Sequence, residues 1–163
     1  MSSAVAAVMR PVPIPRSDVL RKDPGAQAFM LMRIAFTVAP ILFGLDKFAG
    51  VLTDDWTRYL ATEYNDLIPG SASDAMHIVG VVEIAAGLVV AVVPRFGGLL
   101  VAAWLAGIIV SLLLVGGYGD IALRDFGLLL GALSLSRLAS AYADGSGSPV
   151  AARGKEQELA VAN

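Results

Sequence analysis

Every residue from Phe96 to Gly119 is uncharged, and most of them are aliphatic. A run of that length matches the ~20 residues that a helix needs to cross a ~30 Å hydrocarbon core. Three more apolar segments accompany it. One runs from Phe29 to Phe48, one from Met76 to Val93 and one from Ile121 to Ala139. Composition agrees. Hydrophobic residues make up 56 % of the chain before its 17 glycines are counted, whereas soluble domains reach roughly 45–50 % with glycine included. Only 16 % of residues are charged, against about 25 % in soluble domains. A soluble domain of 163 residues has too high a surface-to-volume ratio to hide that much apolar surface. Disorder is excluded as well, because the excess is Leu, Val and Ala rather than charge. The expectation is an all-α integral membrane protein, a four-helix bundle whose main partner is the lipid bilayer.

The composition also excludes chemistry. With no cysteine there are no disulfides, thiol relays, thiolate zinc sites or cysteine-held Fe–S clusters. The single histidine, His77, rules out a bis-histidine haem or a multi-histidine metal site within one chain, so no metal site is expected. His77 falls near the end of the second span and reads as an interfacial residue. A net charge of −2 gives no footprint for nucleic acid.

The spans divide the chain into a disordered, basic, Pro-rich tail over 1–28, a membrane domain over 29–139 and a flexible tail over 140–163. Pro11, Pro13 and Pro15 keep the first tail out of a helix, and the tail lacks the form of a secretory signal. Lys and Arg flanking spans stay cytoplasmic. Arg10, Arg16, Arg21 and Lys22 lie before the first span, Arg95 lies between the second and third, and Arg137, Arg153 and Lys155 lie at the end. Both termini are therefore predicted to be cytoplasmic, with segments 49–75 and 119–120 outside. In the outer connection, Thr53-Asp54-Asp55 resembles a helix start. Trp56, Tyr59, Leu60, Tyr64 and Leu67 then recur at helical spacing up to Pro69-Gly70. This predicts a short amphipathic helix on the outer membrane surface.

Small residues at four-residue spacing predict close helix packing: Gly87 and Ala91, then Ala103, Gly107 and Ser111, then Gly127 and Gly131. The same stripes also suit a homo-oligomer. Pro40 predicts a kink in the first span. Five ionisable residues fall at membrane depth, namely Arg33, Lys47, Glu83, Arg124 and Asp125. Each costs about 2.5–3.5 kcal/mol on insertion scales, so such groups are paired or functional. Lys47 and Asp125 match in depth and oppose in charge, while Arg124 or Arg33 can reach towards Glu83. Two readings stand open. The charges are salt-bridge staples that fix helix order, or they form a site for an anionic or quinone-like ligand with a proton-handling carboxylate.

Several segments together resemble the DoxX-like family of small four-helix bacterial membrane proteins. Met32-Arg33-Ile34-Ala35-Phe36 and Phe43-Gly44-Leu45-Asp46-Lys47-Phe48 are similar to its first span. Trp56-Thr57-Arg58-Tyr59-Leu60 with Pro69 resembles its outer connection, and Val82-Glu83-Ile84-Ala85-Ala86-Gly87-Leu88 its second span. Ala122-Leu123-Arg124-Asp125-Phe126-Gly127 resembles the start of its fourth. The resemblance covers about residues 28–139. Met76-His77 and the long basic tail have no counterpart in it. It implies a multi-pass protein of a bacterial plasma membrane, with members that resemble membrane subunits of quinone-reducing oxidoreductases or associate with complexes of oxidative-stress defence. On that basis the chain is expected to be a non-catalytic membrane subunit or anchor with an oxidoreductase partner. Such a subunit carries no cofactor of its own, and any thiol chemistry belongs to the partner. The alternatives are a quinone-binding oxidoreductase component using Lys47, Glu83, Arg124 and Asp125, and a small-molecule transporter.

Overall fold

The computed structural model describes residues 8–62 and 70–143. Its elements are a short helix α1 (Ser17–Lys22) and four long helices, α2 (Pro24–Ala49), α3 (Ala72–Val92), α4 (Pro94–Val115) and α5 (Gly119–Tyr142), with no strand among the described residues. Helices α2, α3 and α4 are long and apolar enough to cross a membrane. With 24 residues α5 has the length, but Asp120, Arg124, Asp125 and Arg137 lower its hydropathy.

Local signals set the helix ends. Pro24 opens α2 behind Asp23, whose carboxylate accepts from the Gly25 N–H at 2.9 Å. The fixed φ of proline suits that first position, and its missing N–H costs nothing there. The first long helix thus begins at Pro24, ahead of the expected boundary near residue 29. At its far end Gly50 takes a left-handed conformation (φ 63°) and returns its N–H to the Asp46 carbonyl at 2.7 Å. Helix α3 opens on a capping box in which Ser71 and Asp74 satisfy each other's backbone N–H. Val93 alone separates α3 from α4, and Pro94 starts the next helix. The last helix continues past Ala139 to Tyr142.

Packing is heaviest within two pairs, α2 with α3 and α4 with α5, and the pairs meet through α3–α4 and α2–α5. Glycines allow the closest approaches. A Cβ on Gly44 would fall 2.5 Å from the Gly80 carbonyl oxygen, and one on Gly80 would fall 2.8 Å from that of Gly44. Gly87 faces the Thr37 carbonyl, Gly97 the backbone of Val90, and Gly98 the carbonyl of Ala132. The expected small-residue stripes therefore hold only in part. Gly87 and Gly131 pack against α2, but Ala103 and Gly127 are exposed, and a Cβ at Gly107 or Gly127 would meet nothing within 4 Å. Ser111 of the expected α4 stripe is buried, and the rest of the face that α4 turns inward is Pro94, Gly97, Gly98, Val101, Ala102 and Leu112. Large apolar side chains point outward along every long helix, including Leu31 and Leu42 on α2, Val81 on α3, Leu113 on α4 and Leu123 on α5.

At one end of the molecule the two ends of the described chain are tied together. The Tyr142 hydroxyl donates to Asp23 Oδ2 at 2.8 Å, and its ring stacks on Phe29 with centroids 5.4 Å apart. Val12, from the proline-rich stretch, is buried beside them.

Candidate functional site

At the opposite end, Lys47 and Glu83 meet across the α2–α3 seam. The ammonium donates to Glu83 Oε2 at 2.6 Å, with both side chains nearly closed off from solvent at 5 % and 11 % exposure. The backbone explains the meeting. A Cβ on Gly80 would fall 3.2 Å from the Lys47 Cβ and one on Gly44 would fall 3.1 Å from the Ile84 nitrogen, so the close crossing sets Lys47 beside Gly80 and Gly44 beside the neighbour of Glu83, an offset that the long Lys47 side chain spans. Lys47 was expected to face Asp125; it reaches Glu83 because this crossing brings α2 against α3 rather than α5.

Trp56 closes the pair from above. Its ring centroid lies 4.2 Å from the Lys47 ammonium, a cation–π contact, and its indole N–H donates to Asp46 Oδ2 at 3.0 Å. The other Asp46 oxygen accepts from the Val51 and Leu52 N–H groups at 2.8 and 3.0 Å. A single buried carboxylate thereby turns the chain out of α2 and brings Trp56 over Lys47. Sequence reasoning gave Asp46 no such part. The available signal was its place one turn before a terminating glycine and ten residues before a tryptophan.

The loop's far side is pinned too. Ser111 Oγ accepts from the Ala61 N–H at 3.1 Å and donates to the Tyr59 carbonyl at 3.3 Å, while Tyr59 meets Tyr118 edge-on at 5.2 Å. The described part of this connection holds a 3-10 turn, Thr57–Tyr59, and helical backbone at Thr62, where an amphipathic helix was expected from Trp56 to Leu67. Bonds to Asp46 on one side and to Ser111 on the other draw the backbone off a helical ladder. Tyr64, Leu67 and Pro69 lie outside the described residues.

Within the loop, Asp55 Oδ1 accepts from both the hydroxyl and the N–H of Thr57. The hydroxyl bond, followed by the backbone bond, holds the Asp55 carboxyl below its ordinary range. A depressed folded-state pKa gives stability that is present above the unfolded value of about 4 and is lost as the pH falls below it. Proteolytic nicking of segment 50–62 is therefore expected to be flat from pH 7 to about pH 4 and to rise below it. In an Asp55→Asn variant that acid-induced rise should shrink.

The remaining expected site residues are dispersed. Arg124 is largely exposed (65 %) and its Nε donates to its neighbour Asp125 at 3.2 Å. Asp125 is buried and stands within electrostatic reach of Glu83. Arg33 does not approach Glu83. Its guanidinium lies at the other end, donating to the Ala91 carbonyl at 3.2 and 2.6 Å and to the Val12 carbonyl at 3.0 Å. The last carbonyls of a helix lack intrahelical donors, and Arg33 on α2 supplies one for α3. Arg33→Met should leave those carbonyls unpaired, at a cost of about 1–3 kcal/mol, read as a lower Tm in detergent. His77 is exposed and stacks on Phe48 with centroids 4.9 Å apart.

Two buried polar atoms have no partner among the described residues, Thr37 Oγ1 and Trp104 Nε1. The Trp104 indole lies close to the Glu83 carboxylate without reaching hydrogen-bonding geometry. No group of acidic residues and histidine suited to a metal ion occurs among the described residues. No protein-family model, curated protein or solved structure matches the chain.

Proposed function

We propose that the chain is a four-span protein of the bacterial plasma membrane, a DoxX-like bundle that serves as a non-catalytic anchor or subunit for an oxidoreductase or oxidative-stress complex. The observation that carries this reading is that the charges at membrane depth are satisfied within the chain. Lys47 is held by Glu83, and Arg33 by two backbone carbonyls. Such groups fasten α2 to α3 at both ends and keep a rigid apolar body in lipid. The outward Leu123 and Phe126 of α5 support a fourth crossing, with Asp120, Arg124 and Asp125 near one end and Arg137 near the other. The distribution of Arg and Lys supports cytoplasmic termini, which puts the Lys47–Glu83 end outside.

A second reading, a quinone-binding component, is favoured by one observation. The buried Trp104 N–H beside Glu83 lacks an acceptor, and a quinone carbonyl is an acceptor of the right kind. Tagged protein purified from native membranes in mild detergent separates the two readings. The anchor reading expects a stoichiometric oxidoreductase partner and no extractable quinone. A homo-oligomer that carries quinone, and loses it in Trp104→Phe, would replace it with the second reading.

A further inference from the structure

The N-terminal stretch lies packed across the end of the bundle that Tyr142 closes. Val12 is buried, and its carbonyl accepts from Arg33 Nη1 at 3.0 Å. Val19 and Leu20 of α1 rest against the same core. The Leu20 carbonyl accepts from Gln27 Nε2 at 2.8 Å, and the Asp23 N–H donates to the Val19 carbonyl at 2.9 Å. With these apolar side chains turned in, Arg10, Arg16, Arg21 and Lys22 stay exposed. Arg95 in the first turn of α4 and Arg137 near the end of α5 stand at the same end. The acids there are Asp18 and Asp23. Asp23 is buried, and its oxygens accept from the Gly25 N–H and the Tyr142 hydroxyl. Both ion pairs among the described residues, Lys47–Glu83 and Arg124–Asp125, lie at the opposite end. Asp18 is thus the one exposed carboxylate set against these cations. Like charges held at fixed places repel, and an array of anions laid against them removes that repulsion.

Two observations say which anions fit. Met9 and Ile14 are 43 % and 67 % exposed, and they alternate along the chain with Arg10 and Arg16. An acidic protein face serves the arginines alone, whereas a bilayer boundary offers phosphates to them and hydrocarbon to the apolar side chains. In addition, Asp23 alone separates α1 from α2, a helix of membrane length, so α1 is held at the level of the headgroups. Basic clusters at that place beside a span attract anionic lipid. We propose that residues 9–22 form a docked surface that binds anionic phospholipid, with Arg10, Arg16, Arg21 and Lys22 against the phosphates. The opposite end exposes Asp54, Asp55, Asp74 and Asp120, so the preference belongs to one leaflet.

The inference rests on the proposed membrane body, which puts α1 at a bilayer surface. If that reading fails, alkaline carbonate strips the protein from native membranes. If only the lipid assignment fails, an inserted protein shows no preference among lipids. The test is native mass spectrometry of the delipidated full chain in mild detergent, titrated with short-chain phosphatidylglycerol, short-chain phosphatidylcholine and free glycerol phosphate. Phosphatidylglycerol should be retained about tenfold more tightly than phosphatidylcholine. The preference should vanish in Arg10→Gln/Arg16→Gln/Arg21→Gln/Lys22→Gln, whose altered side chains are exposed and whose helical circular dichroism should match the parent. It should persist in Arg153→Gln/Lys155→Gln, which removes positive charge elsewhere in the chain. Glycerol phosphate should compete only weakly, because it has no hydrocarbon for Met9 and Ile14. Equal retention of the two lipids, which is what an acidic partner protein as the true occupant would give, would overturn the assignment. So would a preference that survives the quadruple variant, one that falls as far in Arg153→Gln/Lys155→Gln, or competition by glycerol phosphate as strong as by the lipid.

Discussion

Glu83→Ala is expected to lower the stability of the folded protein by about 3–5 kcal/mol, because it leaves the Lys47 ammonium buried without its counter-charge. The pair is only 2.6 Å apart and nearly sealed from solvent, so neither solvent nor a neighbouring side chain can readily take over. Lys47→Ala should do comparable damage by stranding the carboxylate beside the buried Asp125. The double variant Lys47→Met/Glu83→Leu removes both charges and fills their space, and replacing a buried pair in this way is often neutral or stabilising. Accumulation in the membrane and Tm in detergent should therefore fall sharply in each single variant and recover in the double. A staple has that signature. If the double variant folds but no longer supports its partner's activity, the pair takes part in function as well.

Bulk at the α2–α3 crossing should have the second large effect. Gly44→Leu drives its Cβ to within 2.5 Å of a backbone oxygen on the facing helix, and Gly80→Leu to within 2.8 Å. A backbone atom cannot rotate away as a side-chain tip can, so the helices must separate. Overpacking of this kind costs about 3 kcal/mol at the upper end of its usual range. The separation also pulls Lys47 from Glu83, so the two losses combine. Gly127→Leu is the control, since an added Cβ there meets nothing within 4 Å. Thermal unfolding in detergent should rank Gly127→Leu beside the parent, with Gly44→Leu and Gly80→Leu far below. Equal damage from all three would mean that Gly127 lies in an interface with another chain.

The long helices are legible in the sequence because lipid imposes one length and one composition on any segment that crosses it. Residues 96–119 announce α4 without further evidence, and the polar start of α5 explains why hydropathy alone separates it from the other three. The identity of the charge pair was harder to read. Depth along each helix puts Lys47, Glu83 and Asp125 at one end, but partnership depends on which helices touch. That is decided by glycines whose role emerges only when both strands of the seam are compared. In retrospect Gly44 and Gly80 mark a crossing that sets Lys47 beside Gly80, one turn from Glu83. Four-residue glycine spacing, by contrast, was a weaker guide, since Gly127 turns outward while Gly98 makes the close approach. Arg33 was misplaced for a related reason. A long cation in a membrane span invites a search for an acid, whereas the nearest unmet need was the exposed carbonyl at the end of α3. The periodic aromatics read as one helix from Trp56, yet contacts distant in sequence, Asp46 and Ser111, hold residues 56–61 in a 3-10 turn and loop, and helical backbone is reached only at Thr62.

Membrane topology tests the account most directly, and the absence of cysteine makes the measurement clean. Single cysteines introduced as Asp54→Cys, Arg95→Cys and Ser148→Cys can each be challenged in intact cells with a membrane-impermeant maleimide. The account predicts that Cys at 54 is labelled from outside, and that Cys at 95 and 148 are labelled only after the membrane is opened. Labelling at 148 in intact cells, with 54 also labelled, would show that α5 does not cross, and would contradict the four-span body on which the proposed function depends.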